Sequence, residues 1–377
     1  MPISNIVDAV SCPSTVWRTL RGIEPLCHNG KAVYVTGNAA VLFTVKHEGR
    51  TKMLKCYTRP KPYLREIYGE DFHPRELCIV AITGDATWID CLLYDRIEGS
   101  SLDVALSQAQ SCSEVQLFAA AFDKMAYRLL ASDRAHGDLK PENIIATPTG
   151  ELVPIDFDSA FIPSLAGRPS AEIGTAAYQH PKRDFQLFDN HLDDYSIALI
   201  STILHAATID FSIIQHFRET REFALQPRDI IAGKCGLLEE YIEEFARRGD
   251  ALHYRLARML YSQWPRLFTL KQTLSFSYAE SPDFDIEDAT LEQEGGLWGC
   301  RNSEGWIIPP LYDGGFEPTE GFMVTSLGGY THLLSIAERR VVHSFAKGIT
   351  AKPVKDGVIA IRDGSGQRQN IPLDILL

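Results

Sequence analysis

His136-Gly137-Asp138-Leu139-Lys140-Pro141-Glu142-Asn143, followed after a short interval by Ile155-Asp156-Phe157-Asp158, is the most informative part of this chain. It sets carboxylates, an amide and a lysine at the spacing that phosphoryl transfer needs. That reaction requires cations to neutralise oxygen charge and a carboxylate that aligns the attacking hydroxyl and accepts its proton. Asp138 and Lys140 can serve the hydroxyl and the phosphate, and Asn143 and Asp156 can hold a metal ion. The plainer account of the same residues is a capped turn followed by a buried strand end.

Composition narrows the classes. A chain of 377 residues can bury sizeable cores and divide into two or three units. Its 45% hydrophobic and 23% charged residues are those of a soluble globular protein. A formal charge of -12 argues against nucleic acid as a partner, because such binders concentrate Lys and Arg on one face. The 8 cysteines form no CxxC pair and no zinc-ligand spacing, so reduced thiols, no disulfides and a cytoplasmic location are expected. MPISNIVDAV lacks the basic residues and apolar core of a signal peptide. Ile197 to Ala207, the strongest apolar segment, is too short for a membrane crossing and reads as a buried helix.

Period-two apolar residues predict strands at Val33–Val35, Val41–Val45 and Met53–Tyr57, with His47-Glu48-Gly49-Arg50 as a turn. Pro60 and Pro62 confine the next helix to a late start. Cys91 to Leu102 reads as an apolar strand, a hinge, and a helix capped by Ser100 or Ser101. Phe118, Phe122, Met125 and Leu129 recur at helical spacing between Glu114 and Ser132 and are expected in the core. Ile144 and Ile145 form a short strand, and Leu237–Arg247 and Leu252–Tyr261 are helical in pattern.

The central motifs resemble those of protein kinases: Asn143 lies five residues after Asp138 and thirteen before Asp156, as in that family. The resemblance implies an α+β bilobal fold, ATP and Mg²⁺ as cofactors, and Asp138, Lys140 and Asn143 as catalytic residues, with Asn143 and Asp156 on the metal. Lys55, after two apolar residues, matches the strand lysine that holds the inner phosphates, with Lys52 as the alternative. The glycine-rich loop is reduced to Val35-Thr36-Gly37-Asn38-Ala39-Ala40, with one glycine. Gly37 and Leu42 are nonetheless expected among the nucleotide-binding residues. Tyr63-Leu64-Arg65-Glu66-Ile67 resembles the helix that supplies the lysine's charge partner, making Glu66 that partner and Glu70 the substitute. By the same likeness Tyr94 guards the pocket, the Asp95 carbonyl and the Ile97 N–H face the adenine edge, and Ile145 lies beneath the base.

Gly174-Thr175-Ala176-Ala177-Tyr178-Gln179-His180-Pro181 resembles the segment closing a protein kinase's activation loop, and Asp193-Asp194-Tyr195-Ser196 resembles the start of its buried central helix. The aspartate matching Asp193 binds catalytic-loop backbone in that family. HGD and IDFD are also typical of aminoglycoside and choline phosphotransferases, which lack the two later segments, so the protein-kinase lineage is favoured. Gly137 stands where many protein kinases carry the arginine that pairs with a loop phosphate, which implies activity independent of phosphorylation at Ser164, Ser170 or Thr175. Lys182 replaces a glutamate of a buried ion pair. Asp158 replaces a glycine and either binds a second cation or stiffens the motif.

After the acidic, linker-like Ser281–Asp288, the segment Leu297-Trp298-Gly299 through Ile307-Ile308-Pro309-Pro310-Leu311-Tyr312-Asp313 is similar to a WG repeat, a short β unit of bacterial proteins. A weaker copy begins near Gly328-Gly329-Tyr330, with Val358–Ile361 as a later strand. The expected units are residues 1-95, a small lobe; 96-285, a helical lobe; and 286-377, an all-β unit that binds a protein or peptide, presents substrate or serves as a stabilising cap. The reading is a kinase acting on Ser or Thr of a protein substrate, with no membrane partner. The alternatives are a pseudokinase scaffold and a small-molecule phosphotransferase.

Overall fold

The computed structural model describes residues 2–12, 15–37, 39–80, 84–278 and 288–377. The first lobe is a curled antiparallel sheet. Short strands β1 (Glu24–Pro25), β2 (Cys27–His28), β3 (Lys31–Ala32) and β4 (Tyr34–Thr36) precede the long hairpin β5 (Ala40–His47) and β6 (Arg50–Tyr57). Helix α2 (Leu64–Tyr68) then leads to β7 (Phe72–Val80) and β8 (Ala86–Asp95). The order is β1-β5-β6-β8-β7, with β4 also on β5 and β2 paired with β3 apart from it. Val41, Phe43 and Val45 alternate inward from β5, as a sheet with one covered face requires. Helix α1 (Ile3–Ser11), not anticipated from the sequence, covers that face with Ile6, Val7 and Val10, which share one side of a helix. The β5–β6 turn holds Glu48 and Gly49 both at positive φ, the two-residue geometry that matches strand twist.

The second lobe opens with β9 (Ser100–Ser101) and α3 (Leu102–Gln108); Ser101 stands at the cap position, but its side chain caps nothing. Helix α4 (Cys112–Ala131) is capped instead as the sequence pattern suggests, Ser111 accepting from the Glu114 N–H. Strands β10 (Ile144–Ala146) and β11 (Leu152–Pro154) form a small sheet with β9. Helix α5 (Asp194–Ile209) is apolar on nearly every side and runs through the core, the place such a helix must occupy. Around it lie α6 (Ser212–Thr220), α7 (Pro227–Ile231), α8 (Gly236–Arg248), α9 (Ala251–Met259) and α10 (Leu270–Tyr278). Among the described residues no helix is long and apolar enough to cross a membrane.

The C-terminal residues form three antiparallel meanders. The first holds β12 (Thr290–Glu294), β13 (Leu297–Arg301) and β14 (Trp306–Tyr312); the second β15 (Gly314–Gly315), β16 (Phe322–Leu327), β17 (Tyr330–Ser335) and β18 (Arg340–Ser344). The third holds β19 (Thr350–Ala351), β20 (Val358–Arg362) and β21 (Arg368–Pro372). Gly299 explains the coupling of Trp-Gly with Ile-Pro-Pro: a Cβ there would lie 2.5 Å from the Ile308 carbonyl oxygen and 2.7 Å from Pro309 carbon. The fold is thus α+β, a lobe built on a curled sheet and a mainly helical lobe, with further β-sheets at the C-terminal end. The linker segment Ser281–Glu287 lies outside the described residues.

The first two β meanders are docked on the helical lobe. Cys300, Ile308, Leu311, Met323 and Leu334 belong to the same buried cluster as α5, α8 and α9. Arg255 of α9 donates to the Leu311 carbonyl at 2.8 Å and the Asp313 carboxylate at 2.7 Å, and Tyr330 donates to Glu243 of α8 at 2.7 Å. His332 on β17 is fully buried in this seam, where burial pushes its imidazole down to about 4. Its folded pKa lies below its unfolded value near 6.5, so the stability it permits is complete above that value and is lost as pH falls toward 4. At pH 5 this predicts a loss on the order of 2 kcal/mol relative to neutral pH. Melting midpoints at pH 7.5 and pH 5 are expected to differ less for His332→Gln than for the wild type, and equal differences would contradict the assignment.

Candidate active site

The loop from His136 to Asn143 is held chiefly by backbone. After α4 the chain pairs Ala135 with Phe161 through reciprocal bonds of 3.1 and 2.9 Å. Asp193, buried at the mouth of α5, accepts from the N–H groups of both His136 and Gly137, the latter at 2.8 Å. Two donors that would be stranded inside the lobe are thereby satisfied. His136 Nδ1 accepts from the Asp138 N–H at 3.2 Å, which assigns the ring proton to Nε2, facing the Ile155 carbonyl at 2.7 Å. Gly137 is dictated by space as well as by its φ of 80°: a Cβ would sit 2.2 Å from the Ser159 carbonyl oxygen. No arginine fits there. Arg183 comes to the loop from elsewhere, donating to the Gly137 carbonyl at 2.8 Å and to Gln179 at 2.5 Å.

Asp138, Lys140 and Asn143 converge. Asp138 Oδ1 accepts from the Thr175 N–H at 2.6 Å, while Oδ2 lies 3.9 Å from Lys140 Nζ and 3.4 Å from Asn143 Nδ2. Asn143 Nδ2 also donates to the Asp138 carbonyl at 2.9 Å, which leaves Oδ1 as the atom the amide can offer a cation. The Asn143 carbonyl accepts from Ile155 N–H at 2.8 Å and so brings Asp156 alongside the loop. Thr175 belongs to the predicted closing segment, whose Tyr178 carbonyl accepts from Ser196 of α5 at 2.9 Å.

Lys55 stands opposite Leu42 and Leu92 in the sheet, and its side chain is 6% exposed. Its ammonium donates to Asp156 Oδ1 at 2.6 Å and to Asp158 Oδ2 at 2.8 Å. Burial opposes its charge, but the two carboxylates outweigh burial and raise its pKa. Asp158 is saturated: Tyr57 and Tyr68 each donate to Oδ1 at 2.9 Å, and Lys61 Nζ lies 3.3 Å from Oδ2. Burial would raise this carboxyl's pKa, and Lys55 beside it more than reverses that. Burial and the Asp158 charge raise both tyrosines, which stay neutral donors. Asp156, at a φ of 64°, has a side chain 44% exposed, against 5% for Asp158.

Glu66 is not brought to Lys55. It lies 3.6 Å from Arg168 on the surface, both side chains more than 40% exposed. The reason is local: α2 has only 5 residues, entered at Tyr63 and left at Gly69 with positive φ on both. Glu70 is exposed in the following 3-10 turn, Gly69–Asp71. Asp158, not Glu66, is therefore the carboxylate that pairs with the Lys55 ammonium beside Asp156. Its signal was a second carboxylate two residues after Asp156; the chain is turned at Asp156, and Phe157 between them faces His136 at a ring distance of 4.7 Å. Lys61, Tyr57 and Tyr68 were not singled out from the sequence.

The other residues expected at the nucleotide lie between the β4–β5 turn and β10. Gly37 N–H closes the β4–β5 turn on the Ala40 carbonyl at 2.9 Å; Asn38 lies outside the described residues. Half-buried Leu42 packs with Tyr68 and Tyr94 against the Tyr57–Leu92 cluster. Lys52 pairs with Asp95 at 3.2 Å on the outer face of the sheet, so Lys52 does not compete with Lys55. Ile97 is half-buried just after β8, and Ile145 pairs with Ser101 at the floor of the hinge. Lys182 donates to the carbonyl and side chain of Gln263 at 3.1 and 3.2 Å, replacing an ion pair by neutral acceptors.

Removing the Asp158 carboxylate strands a buried ammonium and two buried hydroxyls, so Asp158→Ala should cost about 3–5 kcal/mol in denaturant unfolding. Glu66→Ala removes an exposed pair and should stay within about 0.5 kcal/mol. Similar losses for the two variants would contradict this assignment.

No protein-family model matches the chain, and no curated protein matches it. Among solved structures it is similar to one described as the ROP18 kinase domain in complex with AMP-PNP and sucrose, at 14% identity and a TM-score of 0.41, over 72% of this chain and 85% of that one.

Proposed function

We propose that this protein is an ATP-dependent phosphotransferase of the protein-kinase type that transfers the terminal phosphate to Ser or Thr hydroxyls of a protein. The observation that carries the proposal is the convergence of Asp138, Lys140 and Asn143 on one loop, joined through the Asn143–Ile155 backbone bond to an Asp156 salt-bridged to Lys55. Asn143 Oδ1 and the half-exposed Asp156 carboxylate are oxygen donors suited to Mg²⁺. When bound, the cation would neutralise charge on the phosphate oxygens. Thr175 fixes Asp138 Oδ1, so Oδ2, beside Lys140, is the oxygen that aligns the acceptor and takes its proton. Lys140 stabilises the moving phosphate. Lys55 holds the inner phosphates from a position set by Asp158. Gly37, Leu42 and Ile145, with the Asp95 carbonyl and the Ile97 N–H, are assigned to the nucleotide.

The C-terminal meanders, read as WG-repeat-like, serve as a protein-binding or substrate-presenting unit fixed to α8 and α9. Eight scattered cysteines with no CxxC pair accord with a cytoplasmic setting. Ser170, which donates to the Glu172 carbonyl at 2.6 Å and is buried, is poorly placed for modification.

Purified protein with radiolabelled ATP and Mg²⁺ should label protein. Label only on added metabolites would favour a small-molecule kinase, and nucleotide binding without transfer a pseudokinase. Asp138→Asn should lower the transfer rate by about 10² to 10⁴ while nucleotide binding persists; full activity would refute the role. Phosphatase treatment of the enzyme should leave its turnover unchanged, because Gly137 supplies no cation for a loop phosphate.

A further inference from the structure

Away from the cleft, three helices of the second lobe aim metal-ligand atoms at one point. Asp123 of α4, His205 of α5 and His253 of α9 each direct one ligand atom to a place where all lie within 4.8 Å of one another. Asp123 Oδ2 is 2.8 Å from His205 Nε2 and 3.4 Å from His253 Nε2, and the imidazoles stack with centroids 3.4 Å apart. We propose that this is a zinc site, independent of the phosphotransferase reading.

The spacing suits the ion. Zinc bonds of about 2.0–2.2 Å to imidazole and carboxylate give tetrahedral edges of roughly 3.3 Å. The Asp123–His253 separation is already near that value; the His205 contact must open by about half an ångström, and the stacked imidazoles must splay apart so that both Nε2 atoms meet at the ion. Two imidazoles and one carboxylate form a donor set suited to Zn²⁺, with water as the fourth ligand.

The groups behind the ligands point the same way. Ser201 donates to Asp123 Oδ1 at 2.6 Å, so the carboxylate presents only Oδ2 to the ion. Asp250 holds His253 Nδ1 at 2.7 Å, fixing the tautomer that exposes Nε2. Both ligand types thus have the outer partners that orient metal ligands in known sites. Asp123 and His253 are buried, whereas the His205 side chain is 17% exposed and provides an entry edge. The site would pin α4, which leads to the catalytic loop, to α5, which begins beside Asp193, and to α9, whose Arg255 holds the C-terminal meanders. An imidazolium between Asp250 and Asp123 is the competing account of the same geometry.

The test is metal analysis of full-length protein purified without an affinity metal column, followed by Co²⁺ titration of chelator-treated protein. About one zinc per chain, tetrahedral Co²⁺ visible absorption and a melting midpoint raised by zinc are expected. His205→Ala should abolish all three, Asp250→Asn should weaken affinity 10- to 100-fold, and Asp156→Asn, at the separate cleft site, should retain the zinc. Chelator-treated wild-type protein that stays folded yet binds neither Zn²⁺ nor Co²⁺ at one equivalent overturns the proposal and leaves the ion-paired histidine; that result needs no variant to fold.

Discussion

The ammonium of Lys55 between Asp156 and Asp158 is the contact on which the arrangement of the lobes depends. It ties β6 to chain 101 and 103 residues further on, across the cleft between the sheet and the helical body. An ammonium this deeply buried is tolerable only where charge and hydrogen bonds surround it, and the second carboxylate in turn needs Lys61 and two tyrosine hydroxyls. Such a cluster contributes little net stability relative to an apolar core, because desolvation offsets much of the attraction. Its consequence is geometric: one placement of the sheet over the β11 end satisfies every member. Asp158 is consumed in that task, so Asp156 remains the carboxylate open to the cleft.

A second constraint fixes the loop beneath. Asp193 takes two backbone N–H groups of the His136–Gly137 turn, while the Ser159 carbonyl presses where a Gly137 side chain would be. The chain therefore has one route past this point, and it delivers Asp138, Lys140 and Asn143 to one side. The aspartate stands at the N-cap position of helix α5 and the helix itself supplies the core, so loop geometry and lobe stability share an element. The first two C-terminal meanders extend that core instead of hanging from it, and the third packs on the second.

Much of this was legible in residues 136–158 because phosphoryl-transfer chemistry demands particular groups at particular spacings, and because the flanking strands and helices have clean periodicity. Asp193 bonded to loop backbone is what its motif implies. Glu66 was assigned by motif order, and motif order carries no information about helix length; two prolines and Gly69 leave α2 too short to present it inward. Asp158 was seen as a substitution but not as the lysine's partner, since only the fold brings β6 to the β11 end. Helix α1 could have been read from Ile6, Val7 and Val10. Asp123, His205 and His253 are far apart in sequence, and only the packing of three helices unites them.

The proposed phosphotransfer chemistry requires that Lys55, Asn143 and Asp156 line one nucleotide-cation site. A crystal structure with a non-hydrolysable ATP analogue and Mn²⁺, located by its anomalous signal, tests it most directly. Manganese is expected between Asn143 Oδ1 and the Asp156 carboxylate, with the Lys55 ammonium on the inner phosphates. Manganese bound elsewhere, or an analogue that finds no place between sheet and loop at saturating concentration, would contradict it.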